Sequence, residues 1–107
     1  MILSSNLGYP RIGSNRELKW LLESFWNKKI NENDFLQNIS NIKKNNWLTQ
    51  RKAGVHFIPS NDFSLYDHVL DMCLTVDAIP ERFKKLKNKK NKFDLYFAMA
   101  RGYQNGK

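Results

Sequence analysis

Two short stretches, residues 2–8 and 55–58, are the parts of this chain that read as β-strands, and helix-forming sequence follows each of them. That alternation constrains the fold more than any other feature. Parallel strands need a long crossover between them, usually a helix, so strand–helix alternation predicts a parallel α/β layout. A parallel sheet is buried on both faces and needs neighbouring strands on both sides. Two strands within 107 residues supply neither, so the expected fold is an incomplete, helix-rich α/β arrangement, the beginning of something larger. The core can still be substantial, because 41% of the residues are hydrophobic and 13% aromatic, which argues against wholesale disorder.

The first strand-like segment ends in Gly8, Pro10 and Gly13, a loop signature. Ser14-Asn15-Arg16-Glu17 then fits the capping box, with Ser14 expected to accept from the Glu17 amide while Glu17 reaches back. Leu18, Leu21, Leu22 and Phe25 follow at helical spacing, leaving Arg16, Lys19, Trp20 and Glu23 for the opposite face. Lys19 and Glu23 are spaced to pair at i,i+4. A second helix is predicted over residues 33–52, with Phe35, Leu36, Ile39 and Ile42 inward, Gly54 closing it, and Asn45-Asn46 a possible break. Pro59 stops the strand at 55–58. Ser60, Asn61 and Asp62 offer caps for a third helix carrying Leu65, Tyr66, Val69, Leu70, Cys73 and Leu74. Pro80 ends that region, and a last helix is expected over 93–103, with a polar, frayed end beyond it.

The formal charge is +8, but residues 84–92 (KKLKNKKNK) hold six lysines and no acid, so the other residues carry only +2. Such a run is either a solvated lysine-rich loop or an arm for nucleic acid or membrane. No Arg or aromatic residue is interleaved within it to stack on bases, which favours the loop. No apolar run approaches the roughly 20 residues of a membrane-spanning helix. The N-terminus also lacks the basic and apolar regions of a secretory signal. Cys73 is the only cysteine, so an internal disulfide is excluded and a reducing, cytoplasmic compartment is expected.

Three groups of residues invite a chemical reading. His56, His68 and Cys73, with Asp67 and Asp71 nearby, match no zinc-ligand spacing, and Cys73 falls on an apolar stripe, so no metal site is assigned. The segment Asp62 to His68 follows a strand, where α/β proteins place functional groups, but Asp62 serves equally well as a helix cap. No nucleophile motif is present. The third group is LGYPRIGSNRELK, where the start of a helix offers unpaired amides and the positive end of its dipole. Arg11, Arg16 and Lys19 surround that end, and Gly8 and Gly13 permit close backbone approach. The strict phosphate-loop patterns are absent, so the choice between an anion site and a plain turn stays open on local grounds.

Four ordered blocks, LGYPRIGSNRELKWLLESFW, IPSNDFSLYDHVLD, AIPERF and DLYFAMARG, resemble the N-terminus of the cobalamin-independent methionine synthase family. The resemblance covers residues 7–102 and fails mainly in the Lys- and Asn-rich stretches between blocks. It implies an enzyme of two (β/α)8 barrels that moves a methyl group from 5-methyltetrahydropteroyltriglutamate to homocysteine, forming methionine. It further implies a zinc ion, held in the C-terminal barrel, that activates the homocysteine thiol, and no cobalamin. In the family, the motif matching Arg16, Glu17, Leu18 and Lys19 binds the folate substrate, with basic groups serving its anionic glutamate tail. By resemblance these four are the folate-binding residues here; no catalytic residue and no metal ligand is assigned.

A single barrel takes about 250 residues, so residues 1–107 correspond to roughly the first two βα units of the N-terminal barrel domain. The zinc ligands and the homocysteine site belong to later parts of the family's chain. The expectation is a truncated, N-terminal piece of a methyltransferase that binds at most the folate tail and is inactive alone, with a C-terminal companion chain left open. The competing expectation is a small basic protein that binds anions or nucleic acid.

Overall fold

The computed structural model describes residues 1–88 and 91–103, and the chain divides into two compact units, Met1–Leu65 and Tyr66–Lys107. Helices dominate both units. The α/β expectation survives only as a trace of strand pairing. Among the described residues, Ser5 and Phe57 form one isolated parallel bridge in place of the two expected strands. The Ser4 carbonyl accepts from the amides of both His56 and Phe57, at 3.2 and 3.0 Å. The pairing goes no further because neither segment has a second neighbour to satisfy its other edge. Ile2, Leu3, Leu7 and Phe57 accordingly stay exposed.

In the first unit, helix α1 spans Glu17–Trp26, and the expected capping box is absent. Arg16, not Ser14, takes the N-cap position, with left-handed backbone (φ 58°, ψ 36°) and no side-chain cap. The preceding turn explains this. The Arg16 amide donates to the Gly13 carbonyl at 3.1 Å, which closes a tight turn and leaves Ser14 inside it rather than at the helix entrance.

Helix α2 spans Glu32–Lys52 and is capped by Asn31, whose side chain accepts from the Asp34 amide at 2.8 Å. It runs unbroken through Asn45 and Asn46. Their carbonyls also accept from side chains one turn on, Thr49 Oγ1 at 2.9 Å and Gln50 Nε2 at 3.0 Å. Gly54, at φ 85°, ends it as expected.

The two helices meet through their apolar stripes. Leu18 and Phe35 are fully buried, Leu22 and Ile39 nearly so. Phe25 stacks on Phe35 with ring centroids 4.1 Å apart and planes 14° from parallel. Leu36, expected inward, is 40% exposed, because the stripe facing α1 is narrower than the apolar arc of α2. At the far end of α2, buried Gln50 accepts from the Asn6 side chain at 2.8 Å and its carbonyl accepts from the Val55 amide at 3.2 Å. This one side chain ties the N-terminal segment to the helix.

In the second unit, helix α3 spans His68–Thr75, starting later than the sequence suggested. Asp67 caps it, accepting from the Leu70 amide at 3.2 Å, so Leu65 and Tyr66 precede the helix. The Tyr66 amide donates instead to the Tyr96 hydroxyl at 3.0 Å. Residues Glu81–Phe83 form a 3-10 turn that leads into α4, a single turn over Lys84–Lys87, and α5 covers Lys92–Arg101. Asn91 caps α5 through the Asp94 amide at 2.9 Å.

The lysine-rich loop expected at 84–92 is therefore helical over its first four residues. Leu86 is the cause: with Phe83 it is buried against Leu95 and Ala98, with Leu74, Ile79 and Met99 around them. Lys89 and Lys90 lie outside the described residues.

Candidate functional site

The segment before α1 is held by one side chain and two backbone carbonyls more than fifty positions away in sequence. Asp62, one of the expected caps of the third helix, accepts from the Tyr9 amide at 2.9 Å. Gly8 is needed at this contact, because a Cβ there would lie 2.9 Å from the Asp62 carboxylate oxygen. Two residues on, Arg11 donates to the Leu65 carbonyl at 3.0 Å and to that of Ser64 at 3.4 Å. Arg11 is half-buried. The structure thus removes it from the set of mobile cations and makes it a brace. Ser64, only 2% exposed, is the buried floor beneath it.

Of the four motif residues, Leu18 is buried and Arg16, Glu17 and Lys19 are exposed. Leu18 is fully buried, and its amide donates to the Ile12 carbonyl at 3.1 Å, so its side chain belongs to the core. The Glu17 carboxylate lies directly against Gly13, whose φ is 90°; a Cβ on Gly13 would come within 2.8 Å of the Glu17 carboxyl carbon and closer still to one oxygen. Arg16 and Lys19 both point outward and are exposed. Lys19 sits 3.9 Å from Glu23 and 5.0 Å from the centre of the exposed Trp20 ring. The Lys19–Glu23 pair is as expected, but at this exposure it is worth only a fraction of a kcal/mol, and it leaves the ammonium open to a ligand.

What this arrangement offers chemically is recognition of anions. A guanidinium with a planar fork and a compact ammonium flank the positive end of a ten-residue helix.

Elsewhere, Ser4 Oγ lies 2.9 Å from His56 Nδ1, a spacing that suggests a nucleophile and its base. The Ser4 amide donates to the same nitrogen at 3.0 Å, and the His56 amide reaches back to Ser4 Oγ at 3.2 Å. The pair is a staple between two chain segments, and its Nδ1 is already occupied. Among the described residues, no three His, Cys, Asp or Glu side chains are grouped to hold a metal ion. A groove of about 310 Å³ between α2 and Ile58, lined by Lys44, Trp47, Leu48 and Arg51, shares no residue with the motif.

Two of the described lysines of the 84–92 run are held in ion pairs. Lys84 pairs with Glu81, and Lys87 reaches both oxygens of Asp77 at 2.8 and 2.9 Å. Among the described residues no helix is long and apolar enough to cross a membrane.

Sequence reading missed two features of this region. The Glu17–Gly13 seat was hidden because Ser14 offered a more familiar partner for Glu17. The Asp62–Tyr9 bond was hidden because a carboxylate before a helical pattern reads as a cap. The glycines at 8 and 13 were the only local signal of either contact.

Comparison with known proteins bears on the same residues. Residues 3–107 match the family model described as the cobalamin-independent synthase, N-terminal domain. The 5-methyltetrahydropteroyltriglutamate–homocysteine methyltransferase of Flavobacterium johnsoniae is 54% identical over 94% of this chain. Those of Dictyostelium discoideum and Candida albicans are 47% and 48% identical over 100% and 97% of it. The chain spans 13 to 14% of the length of these relatives. Identity at this level over nearly the whole chain leaves one conclusion: the chain belongs to the cobalamin-independent methionine synthase family, through its N-terminal domain.

Proposed function

We propose that this chain provides the polyglutamate-binding start of a methionine synthase, where Arg16 and Lys19 hold the anionic tail of 5-methyltetrahydropteroyltriglutamate. The observation that carries this reading is the division of the motif. Its two cations are exposed at the head of α1, while Leu18 anchors the same turn in the core. A γ-linked glutamate tail carries a carboxylate on every residue, and a fork beside a point charge suits successive carboxylates.

The activity in which these residues take part is methyl transfer to homocysteine, the reaction that the relatives' names describe. Their contribution is to hold substrate, and the chemistry belongs to other parts of the synthase. Zinc, which would activate the homocysteine thiol, finds no fitting donor set here: His56 Nδ1 is taken by the Ser4 amide, and Cys73 lies half-buried on α3. We assign zinc to residues outside this segment and give cobalamin no part.

The single parallel bridge between Ser5 and Phe57, with α1 and α2 in the crossover, supports a place at the start of a (β/α)8 barrel. A cytoplasmic location is in keeping with a biosynthetic role.

Calorimetric titration with methylated folates bearing one, two and three glutamates tests the reading. Affinity should rise roughly two- to five-fold with each glutamate, in line with exposed charge pairs of up to about 1 kcal/mol. Arg16→Ala combined with Lys19→Ala should flatten that rise. A tail-length dependence that survives the double substitution, or is absent from the unaltered chain, rules the site out.

A further inference from the structure

We infer that the face of α2 running from Lys44 to Arg51 is a docking surface for an acidic amphipathic helix of another polypeptide. It lies apart from the motif at the head of α1 and does not depend on the tail-binding proposal.

Helix α2 has two apolar faces. One carries Phe35 and Ile39, which are buried, with Phe35 stacked on Phe25 of α1. On the other, Lys44, Trp47, Leu48 and Arg51 follow one another at i, i+3, i+4 and i+7. At 3.6 residues per turn this second stripe sits roughly 150° round the helix from Phe35 and Ile39. With Ile58 and Ser60 it lines the groove of about 310 Å³.

The groove is set before any partner arrives. Trp47 Nε1 donates to the Pro59 carbonyl at 3.1 Å, which pins the indole to the segment that follows α2. Trp47 and Leu48 nevertheless remain 38% and 37% exposed. A fixed aromatic ring beside an aliphatic side chain, at helical spacing, is the kind of surface on which the apolar stripe of a second helix packs.

Charge decides the occupant. Residues 35–61 contain Lys43, Lys44, Arg51 and Lys52 and no acid. Lys43 is engaged 5.3 Å over the Phe63 ring. The side chains of Lys44 and Arg51 both line the groove, and neither has an ion-pair or hydrogen-bond partner among the described residues. Arg51 stands in the last turn of α2, where a cation complements the helix dipole. Lys44 stands in mid-helix, where the dipole gives it no such role.

The two cations are two turns apart, about 10.5 Å along the axis. A partner helix of pattern Glu-x-x-Leu-Leu-x-x-Glu repeats that spacing. It sets a carboxylate against each cation and its leucine pair against Trp47 and Leu48. A second copy of this chain meeting the groove through the same stripe would instead oppose cation to cation.

The test uses a fluorescein-labelled, alanine-based helical peptide carrying that pattern, titrated with the 107-residue chain and followed by fluorescence anisotropy. A scrambled peptide of equal composition, with its Glu and Leu spread round the helix, is the control. The patterned peptide should bind roughly ten-fold more tightly than the scrambled one, because only it presents both carboxylates and both leucines together. Lys44→Glu combined with Arg51→Glu should weaken binding at least roughly ten-fold while far-UV circular dichroism stays unchanged. The same double variant should bind a peptide in which Lys replaces each Glu, a rescue that damage to the fold would not give.

Three results overturn the proposal. The scrambled peptide could bind as well as the patterned one, which would reduce the effect to bulk charge. The Lys-bearing peptide could fail to recover binding to the double variant. A single-stranded poly(dT) oligonucleotide could displace the patterned peptide from the unaltered chain and bind more tightly, which would assign the face to nucleic acid.

Discussion

Phe35 and Leu36 are adjacent apolar residues on α2, and periodicity gives both the same inward role. In the fold, Phe35 is fully buried and stacked on Phe25, while Leu36 is 40% exposed. Their substitutions should part accordingly. Phe35→Ala removes a large buried ring and leaves a cavity, at a cost of about 3–5 kcal/mol, whereas Leu36→Ala should cost under about 1 kcal/mol. Urea unfolding followed by the fluorescence of Trp20, Trp26 and Trp47 measures the contrast; equal losses would show that the buried stripe of α2 is wider than described. The same limit applies to the binding motif. Four consecutive residues were legible as a motif by resemblance, and the fold exposes three of them, Arg16, Glu17 and Lys19, while it buries Leu18. Leu18 reveals itself through helical periodicity. Glu17 does not, because its partner Gly13 has no side chain to advertise the contact.

Helix boundaries show which local signals a fold respects. The caps of α2, α3 and α5 are Asn31, Asp67 and Asn91, each accepting from the amide three residues on. Asn31 satisfies amides that would otherwise be orphaned at the start of a helix of 21 residues. Asn31→Ala should therefore cost about 1 kcal/mol, visible as a lower urea midpoint with an unchanged slope. Asn31→Asp should recover most of the loss. Where two capping signals competed, tertiary contacts chose. Ser14 lost to a turn closed by Gly13, and Asp62 was drawn away to the Tyr9 amide. The lysine run shows the opposite bias. Its composition reads as a solvated loop, yet one leucine among the lysines docks into the core and draws Lys84–Lys87 into a helical turn.

At the scale of the whole molecule, the dominant fact is how much apolar surface is left uncovered. Ile2, Leu3, Leu7 and Phe57 flank the lone bridge, and Val69, Met72 and Val76 line one exposed side of α3. Patches of this kind mark surfaces built for cover by other polypeptide. The 107-residue chain should bind a hydrophobic dye such as ANS and self-associate as its concentration rises in sedimentation velocity. Val69→Lys with Val76→Lys should reduce both effects. A monomeric chain that leaves the dye dark would contradict this account of the surface.

The sequence by itself determined the four longer helices, most of their apolar stripes, the bounds of α2 to within a residue and the family, because these depend on interactions within a few residues or on an ordered set of matching blocks. Only the tertiary structure decided that the strands shrink to one bridge, that Arg11 braces the Ser64 and Leu65 carbonyls, and that Glu17 turns onto Gly13. The physical reason is range. Strand pairing and the Arg11 brace depend on partners more than fifty residues away, and the Glu17 seat depends on the absence of a side chain. Neither leaves a period or a spacing in the sequence to be read.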